Sequence, residues 1–195
     1  YTGYFDPATS FRHSLFQTVS IASTTGFASS DFNLWPDFSR YVLLLLMFVG
    51  GCSGSTAGGM KVSRFVILLK VTWAELRRTI HPRLVYSIKM GGRNVPPVVV
   101  GNVTRFFYLY MIVFSTLTLL ISLTGLSMLD SMGIIAACMS SVGPAFGIVG
   151  PTATYADVST FGRLVVIAAM ILGRLEIFTL LIIMRPDFWR VKRNW

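Results

Sequence analysis

Charge is what this sequence has least of. Only 13% of its 195 residues are charged, about half the share expected in a soluble domain. Acids are scarcest, 8 against 17 lysines and arginines, which leaves a net charge of +9. Histidine and cysteine number two each. Cys52 and Cys138 both lie in or beside apolar segments, so they make neither a disulfide framework nor a metal-ligand spacing. What is abundant is apolar: 53% of residues are hydrophobic and the mean hydropathy is +0.66. That balance points to an integral membrane protein. The positive charge does not point to nucleic acid, because its basic residues avoid the apolar runs. They cluster at roughly 64–105 and 185–193, the pattern of cytoplasmic loops under the positive-inside rule. The chain opens on Tyr1, without a methionine and inside what reads as a loop, so a longer parent protein is expected.

A spanning helix needs about 20 mostly apolar residues. Three regions meet that need: Phe38 to Lys70, Gly101 to Thr124 and Phe161 to Met184. Two shorter apolar segments, Phe11 to Ser23 and Ser131 to Ser141, are too short to cross and read as re-entrant or buried helices. Lys70, Arg77, Arg78, Arg83, Lys89, Arg93 and Arg105, and then Arg185, Arg190, Lys192 and Arg193, set the cytoplasmic side. The loops at 31–37 and 130–157 are then external. Both short segments enter from there, and the loops TTGFAS and VGPAFG that follow them lie at membrane depth. Non-helical backbone survives at that depth only where protein buries it or it lines a water-filled cavity.

The chain repeats itself. FSRYV at 38–42, followed by LLLLMFVG, matches FGRLV at 161–165, followed by VIAAMILG; STTGFA at 23–28 matches SSVGPA at 140–145. The unit is span, short helix, glycine loop, span, complete in the second copy and lacking its opening span in the first. Repeats in membrane folds surround a shared pathway. A short helix followed by a glycine loop is also the plan of potassium-channel pores, where backbone carbonyls replace the ion's water, and glycine accepts the backbone angles this takes. Thr24, Thr25, Gly26 and Phe27 would supply carbonyls from one copy, and Ser141, Val142, Gly143 and Pro144 from the other. Either loop alone could equally be an ordinary turn between buried helices; two copies at one repeat position favour the pore.

One copy carries an addition. Its closing span is broken by Gly50, Gly51, Cys52, Ser53, Gly54, Ser55, Thr56, Ala57, Gly58 and Gly59. With Lys61 and Ser63 beyond it, the stretch has a passing likeness to a phosphate-binding loop. The lysine is one residue late, however, and the flanks are membrane spans rather than a strand and a helix. A phosphate-binding enzyme is therefore set aside. A non-conducting scaffold that binds a partner through its basic segment stays open as the alternative. It accounts for the charges but not for the paired loops or the broken helix.

STTGFA at 23–28, GGCSGSTAGGMKVSR at 50–64, HPRLVYSIK at 81–89, VGP at 142–144 and GRLEIFTLL at 173–181 occur in order. Through them the chain resembles the Trk/Ktr/HKT superfamily of potassium transporters, most closely its bacterial TrkH/TrkG potassium-uptake subunits, over essentially its whole length. The resemblance implies an all-α integral membrane fold of span–pore-helix–span repeats around a pseudo-fourfold ion pore, with about one and a half repeats here. Residues 1–95 would hold the third repeat's pore helix, filter loop, broken span and basic segment. Residues 96–195 would hold the fourth repeat with its basic tail. It implies potassium uptake through a gated, channel-like pore in the bacterial inner membrane, K+ as the transported ion, and no covalently bound cofactor and no catalytic residue. A homodimer, a cytosolic nucleotide-binding regulatory ring and membrane lipid are the implied partners, with no nucleic acid. Gly26 and Gly143 match the filter glycines that go with potassium over sodium; a sodium-permeable transporter of the same superfamily is the other alternative. SSVGPAFG departs from an asparagine-rich fourth loop, which bears on side-chain contacts more than on the backbone role.

Two charges fall within the third span. A charge at the bilayer centre costs roughly 2.5–3.5 kcal/mol on insertion scales. Arg174 and Glu176 are two apart, about 200° around a helix, so they do not simply pair. Glu176 reads best as half of a structural ion pair with another span. The repeat aligns Arg174 with Gly51, at the depth of the break, and the family has an arginine there that contacts the intramembrane loop. A fixed positive charge at that depth is a barrier to cations, so residues 50–59 and Arg174 together read as a movable gate. Trp35, Tyr41 and Trp189 read as interfacial aromatics, and His81 as a turn residue. Arg77 and Arg78 read as topology signals that can also meet lipid phosphates or a regulatory partner.

Overall fold

The computed structural model describes residues 6–81 and 87–174. Arg83, Glu176, Arg185, Trp189, Arg190, Lys192 and Arg193, with the remainder of the third apolar region, lie outside the described residues. The order is α1 (Pro7–Ala22), α2 (Asp37–Phe48), β1 (Val49–Gly50), β2 (Met60–Lys61), α3 (Val62–Ile80), β3 (Lys89–Met90), β4 (Arg93–Asn94), α4 (Pro97–Ser122), α5 (Met128–Met139) and α6 (Thr160–Arg174). Among the described residues, the helices and loops are joined by two minimal strand pairings: β1 with β2 in parallel, and β3 with β4 as a hairpin.

Local chemistry sets the boundaries. α1 begins at Pro7 rather than Phe11, because proline at the first helical position gives up only an amide that has no partner there. The same logic starts α4 at Pro97, before the expected Gly101, so Arg105 lies within the helix. α4, with 26 residues, is the one described helix long and apolar enough to cross a membrane. α3 runs to Ile80, so Lys70, Arg77 and Arg78, expected in a loop, stand on a helix. Gly91 and Gly92 (φ 56° and 79°) turn the hairpin, as the two left-handed positions of a tight two-residue turn require.

α5 sits at the centre, against α2, α4 and α6. Ser131 and every residue from Gly133 to Met139 are buried. Helices that meet in lipid gain by close approach more than by leaving water. Gly133 provides it: a Cβ there would stand 2.5 Å from the Phe146 ring. α1 occupies the matching place in the first copy and contacts α2. Its Phe11, Leu15 and Val19 are exposed, whereas Ala136, the repeat counterpart of Val19, is fully buried under the second copy's helices.

Candidate functional site

Both short helices end in the same way. Thr24 N donates to Ile21 O (3.0 Å) and Thr25 N to Ser20 O (2.9 Å); Ser141 N donates to Cys138 O (3.2 Å) and Val142 N to Ala137 O (2.9 Å). Each pair is a Schellman ending, a wide bond closed over a narrow one. Its left-handed position is usually glycine, yet here it holds Thr24 (φ 56°) and Ser141 (φ 55°). Two residues on, the backbone is left-handed again at Gly26 (φ 79°) and Gly143 (φ 103°). The two loops therefore share a pattern of alternating handedness, which successive carbonyls facing one side require. They also touch, since a Cβ on Gly26 would collide with Val142 O and stand 3.4 Å from Pro144 Cδ. Thr25 Oγ1 lies 2.7 Å from Ser23 Oγ. Phe27 is exposed and Val142 buried. The structure brings all eight residues expected at the filter into two adjacent loops.

Two carbonyls of these loops accept hydrogen bonds from side chains. Ser20 Oγ donates to Phe27 O (2.6 Å), and Tyr155 Oη donates to Gly143 O (2.8 Å). Neither donor stands out in the sequence. Ser20 is one hydroxyl on a short apolar helix, and Tyr155 is twelve positions beyond the carbonyl it serves.

The glycine-rich segment lies directly against the loops. The β1–β2 pairing (Val49 with Met60, Gly50 with Lys61) closes its base, and Val62 N donates to Gly51 O (3.2 Å). A turn follows, Ser55 N to Cys52 O (3.0 Å), with Gly54 left-handed at φ 86°. Ser53 Oγ approaches Ser63 Oγ (3.4 Å), and Ser55 Oγ accepts from Ala57 N (3.1 Å). Gly59 is also left-handed, φ 68°. Gly58 is the point of contact: its N–H donates to Thr24 Oγ1 (3.2 Å), and a Cβ on it would collide with Ser140 O. One residue of the segment thus touches both loops.

Three consecutive carbonyls of the segment are held by cations. Lys61 Nζ donates to Ser55 O (2.6 Å) and Ala57 O (2.7 Å), and Arg174 Nη1 donates to Thr56 O (2.8 Å). A cavity of about 250 Å³ lies beside them, lined by Ser55 to Gly59, Lys61, Arg64, Phe106, Tyr110 and Leu172 to Arg174. Arg64 also stacks on Phe106, 4.1 Å from the ring centroid. A phosphate loop offers its amides and lysine to the phosphate; here Lys61 is taken up by the segment's own carbonyls. Arg174 meets the segment as the repeat alignment expects. Lys61 was missed as a clamp, and its place at the end of a carbonyl-rich glycine stretch was the available signal.

The family model of TrkH, a cation transport protein, matches residues 2–190. The chain is 44% identical over 187 residues to the Trk system potassium uptake protein TrkH of Vibrio parahaemolyticus, covering 96% of this chain and 38% of that protein. It is 36% identical over 188 residues to the Trk system potassium uptake protein TrkG of Escherichia coli, with 96% and 38% covered. The crystal structure of the potassium transporter TrkH from Vibrio parahaemolyticus superposes with a TM-score of 0.87, covering 96% of this chain and 40% of that one. The chain spans about 38% of the length of these curated relatives.

Proposed function

The chain belongs to the TrkH family of cation transport proteins, and from that premise we propose that it forms one side of a gated pore for potassium uptake across the bacterial inner membrane. K+ sheds water at the carbonyls of Thr24 to Phe27 and Ser141 to Pro144, and residues 50–59 with Arg174 form the gate. The single observation that carries this reading is the recurrence, residue for residue, of one strained helix ending and one left-handed glycine in two touching loops. Two unrelated turns have no reason to share both. A barrier role for the segment is supported by Lys61, Arg64 and Arg174 beside one cavity, since fixed positive charge opposes a cation's passage. The pore acts as a multi-pass transporter rather than an enzyme. It assembles as a homodimer in lipid, under a cytosolic nucleotide-binding ring.

Gly26→Ser and Gly143→Ser test the filter. At φ 79° and 103° a side chain is strained, and at Gly26 it also meets Val142 O. Both variants of the full-length protein are expected to lose selectivity for potassium over sodium in an uptake assay, Gly26→Ser the more severely. Unchanged selectivity in both would sink the assignment.

A further inference from the structure

A filter carbonyl that replaces water must be held in place, and the two loops are held by different devices. In the first, the donor is Ser20, 5% exposed on α1, whose Oγ stands 2.6 Å from Phe27 O. Its repeat counterpart in α5 is Ala137, which has no hydroxyl. In the second, the donor comes from the returning loop: Tyr155 Oη lies 2.8 Å from Gly143 O and 3.4 Å from Cys138 Sγ. The turn that carries Tyr155 is fixed to α6, because Arg163 donates from Nε to Val158 O and from Nη2 to Ala156 O, each at 2.8 Å.

We propose that Ser20 and Tyr155 are positioning residues that determine ion specificity, their hydroxyls setting where the Phe27 and Gly143 carbonyls stand and how strongly they attract a cation. The proposal rests on the pore reading of the loops. A carbonyl oxygen has two lone pairs, so a donor behind it leaves one free for an ion. Selectivity depends on the size of the site and on the number and field strength of its dipoles, and a donor at the back of a carbonyl acts on both. Burial, and then the neighbouring Cys138 thiol, push the Tyr155 phenol up from its ordinary value. It therefore stays protonated, and a donor, across the neutral range.

The test measures K+, Rb+ and Na+ flux through the full-length protein in liposomes, with thermal unfolding of each variant as the fold control. Tyr155→Phe keeps the ring and removes the hydroxyl; Ser20→Ala removes the other, and Ser20→Thr retains it. Tyr155→Phe and Ser20→Ala are each expected to raise the sodium-to-potassium permeability ratio roughly three- to tenfold, the span that one hydrogen bond allows. Ser20→Thr should restore the wild-type ratio. A fall in unfolding temperature or total flux with the ratio unmoved would show a merely structural role and overturn the proposal. Should Tyr155→Phe fail to fold, the Ser20 pair decides. Gly26→Ser and Gly143→Ser run alongside: if they shift the ratio and the hydroxyl variants do not, this proposal fails and the pore reading stands. If the glycine variants leave it unmoved, the pore reading fails first.

Discussion

Thr24 and Ser141 hold a conformation that costs a non-glycine residue roughly 1–2 kcal/mol, and a β-branched residue is rarer still there. Strain of this kind gathers at functional sites. For Thr24 the compensation is visible: its Oγ1 accepts the Gly58 N–H. Ser141→Gly should therefore raise stability by about 1 kcal/mol, read as a higher unfolding temperature. Thr24→Gly sheds similar strain but loses the bond to Gly58, so it should gain less stability and let more ion through the closed protein. Equal gains in the two variants would mean that the Thr24 hydroxyl holds nothing. Gly26 and Gly143 could be picked out of the sequence, because glycine announces a left-handed backbone. Thr24 and Ser141 could not, since a hydroxyl residue in that conformation leaves no sequence signature.

At the scale of elements, the broken span is less broken than it looks. The β1–β2 pairing brings the two ends of the glycine segment together, so residues 51–59 form a compact loop with neighbouring ends. α2 and α3 need not separate for it to swing. What restrains it is the Lys61 and Arg174 clamp on its carbonyls and the Gly58 contact with Thr24 and Ser140 at the two glycine loops. Hydrogen bonds from charged donors are worth about 1.5–3 kcal/mol each, so Arg174→Ala and Lys61→Gln should each raise flux through the closed protein by roughly tenfold or more. Gly58→Ala should act in the same direction by wedging the loop off Ser140 O. Unaltered conductance in Arg174→Ala would count against its barrier role. The break itself was legible as glycine interrupting an apolar run, and Arg174 as a charge where none belongs. The lysine's task was not, because a lysine after a span is ordinarily a topology signal, and only folding of the loop puts it over Ser55 O and Ala57 O.

At the scale of the molecule, the repeat was legible and the joints between its copies were not. Asn33, Phe32, Gly147 and Phe146, which make one of them, stand outside the stretches that the repeat alignment matches. Asn33 joins the copies through both ends of its amide: Oδ1 accepts from Gly147 N (3.0 Å) and Nδ2 donates to Gly147 O (3.2 Å). The Phe32 and Phe146 rings meet edge-on at 5.5 Å beside it, and Arg40 lies over the same Phe146 ring at 5.6 Å. The copies meet again through Gly58, between Thr24 of one and Ser140 of the other. Both joints bear on the two glycine loops, and loosening one changes the load on the other. Asn33→Ala leaves the Gly147 amide without its partner, while the carbonyl keeps the Gly150 N–H (3.2 Å), at about 1–3 kcal/mol for the group left unsatisfied. It should lower the unfolding temperature of the full-length protein by several degrees. With that joint loosened, it should also raise flux through the closed protein, although Asn33 bonds neither to residues 50–59 nor to Arg174. Pairing it with Thr24→Ala distinguishes a coupled frame from two independent defects. Residues that share a network give non-additive effects of about 0.5–3 kcal/mol, whereas independent sites add to within about 0.5 kcal/mol. Additive flux changes in the double variant would mean that the Asn33 joint only stabilises the fold, and that the gate answers to its own clamp alone.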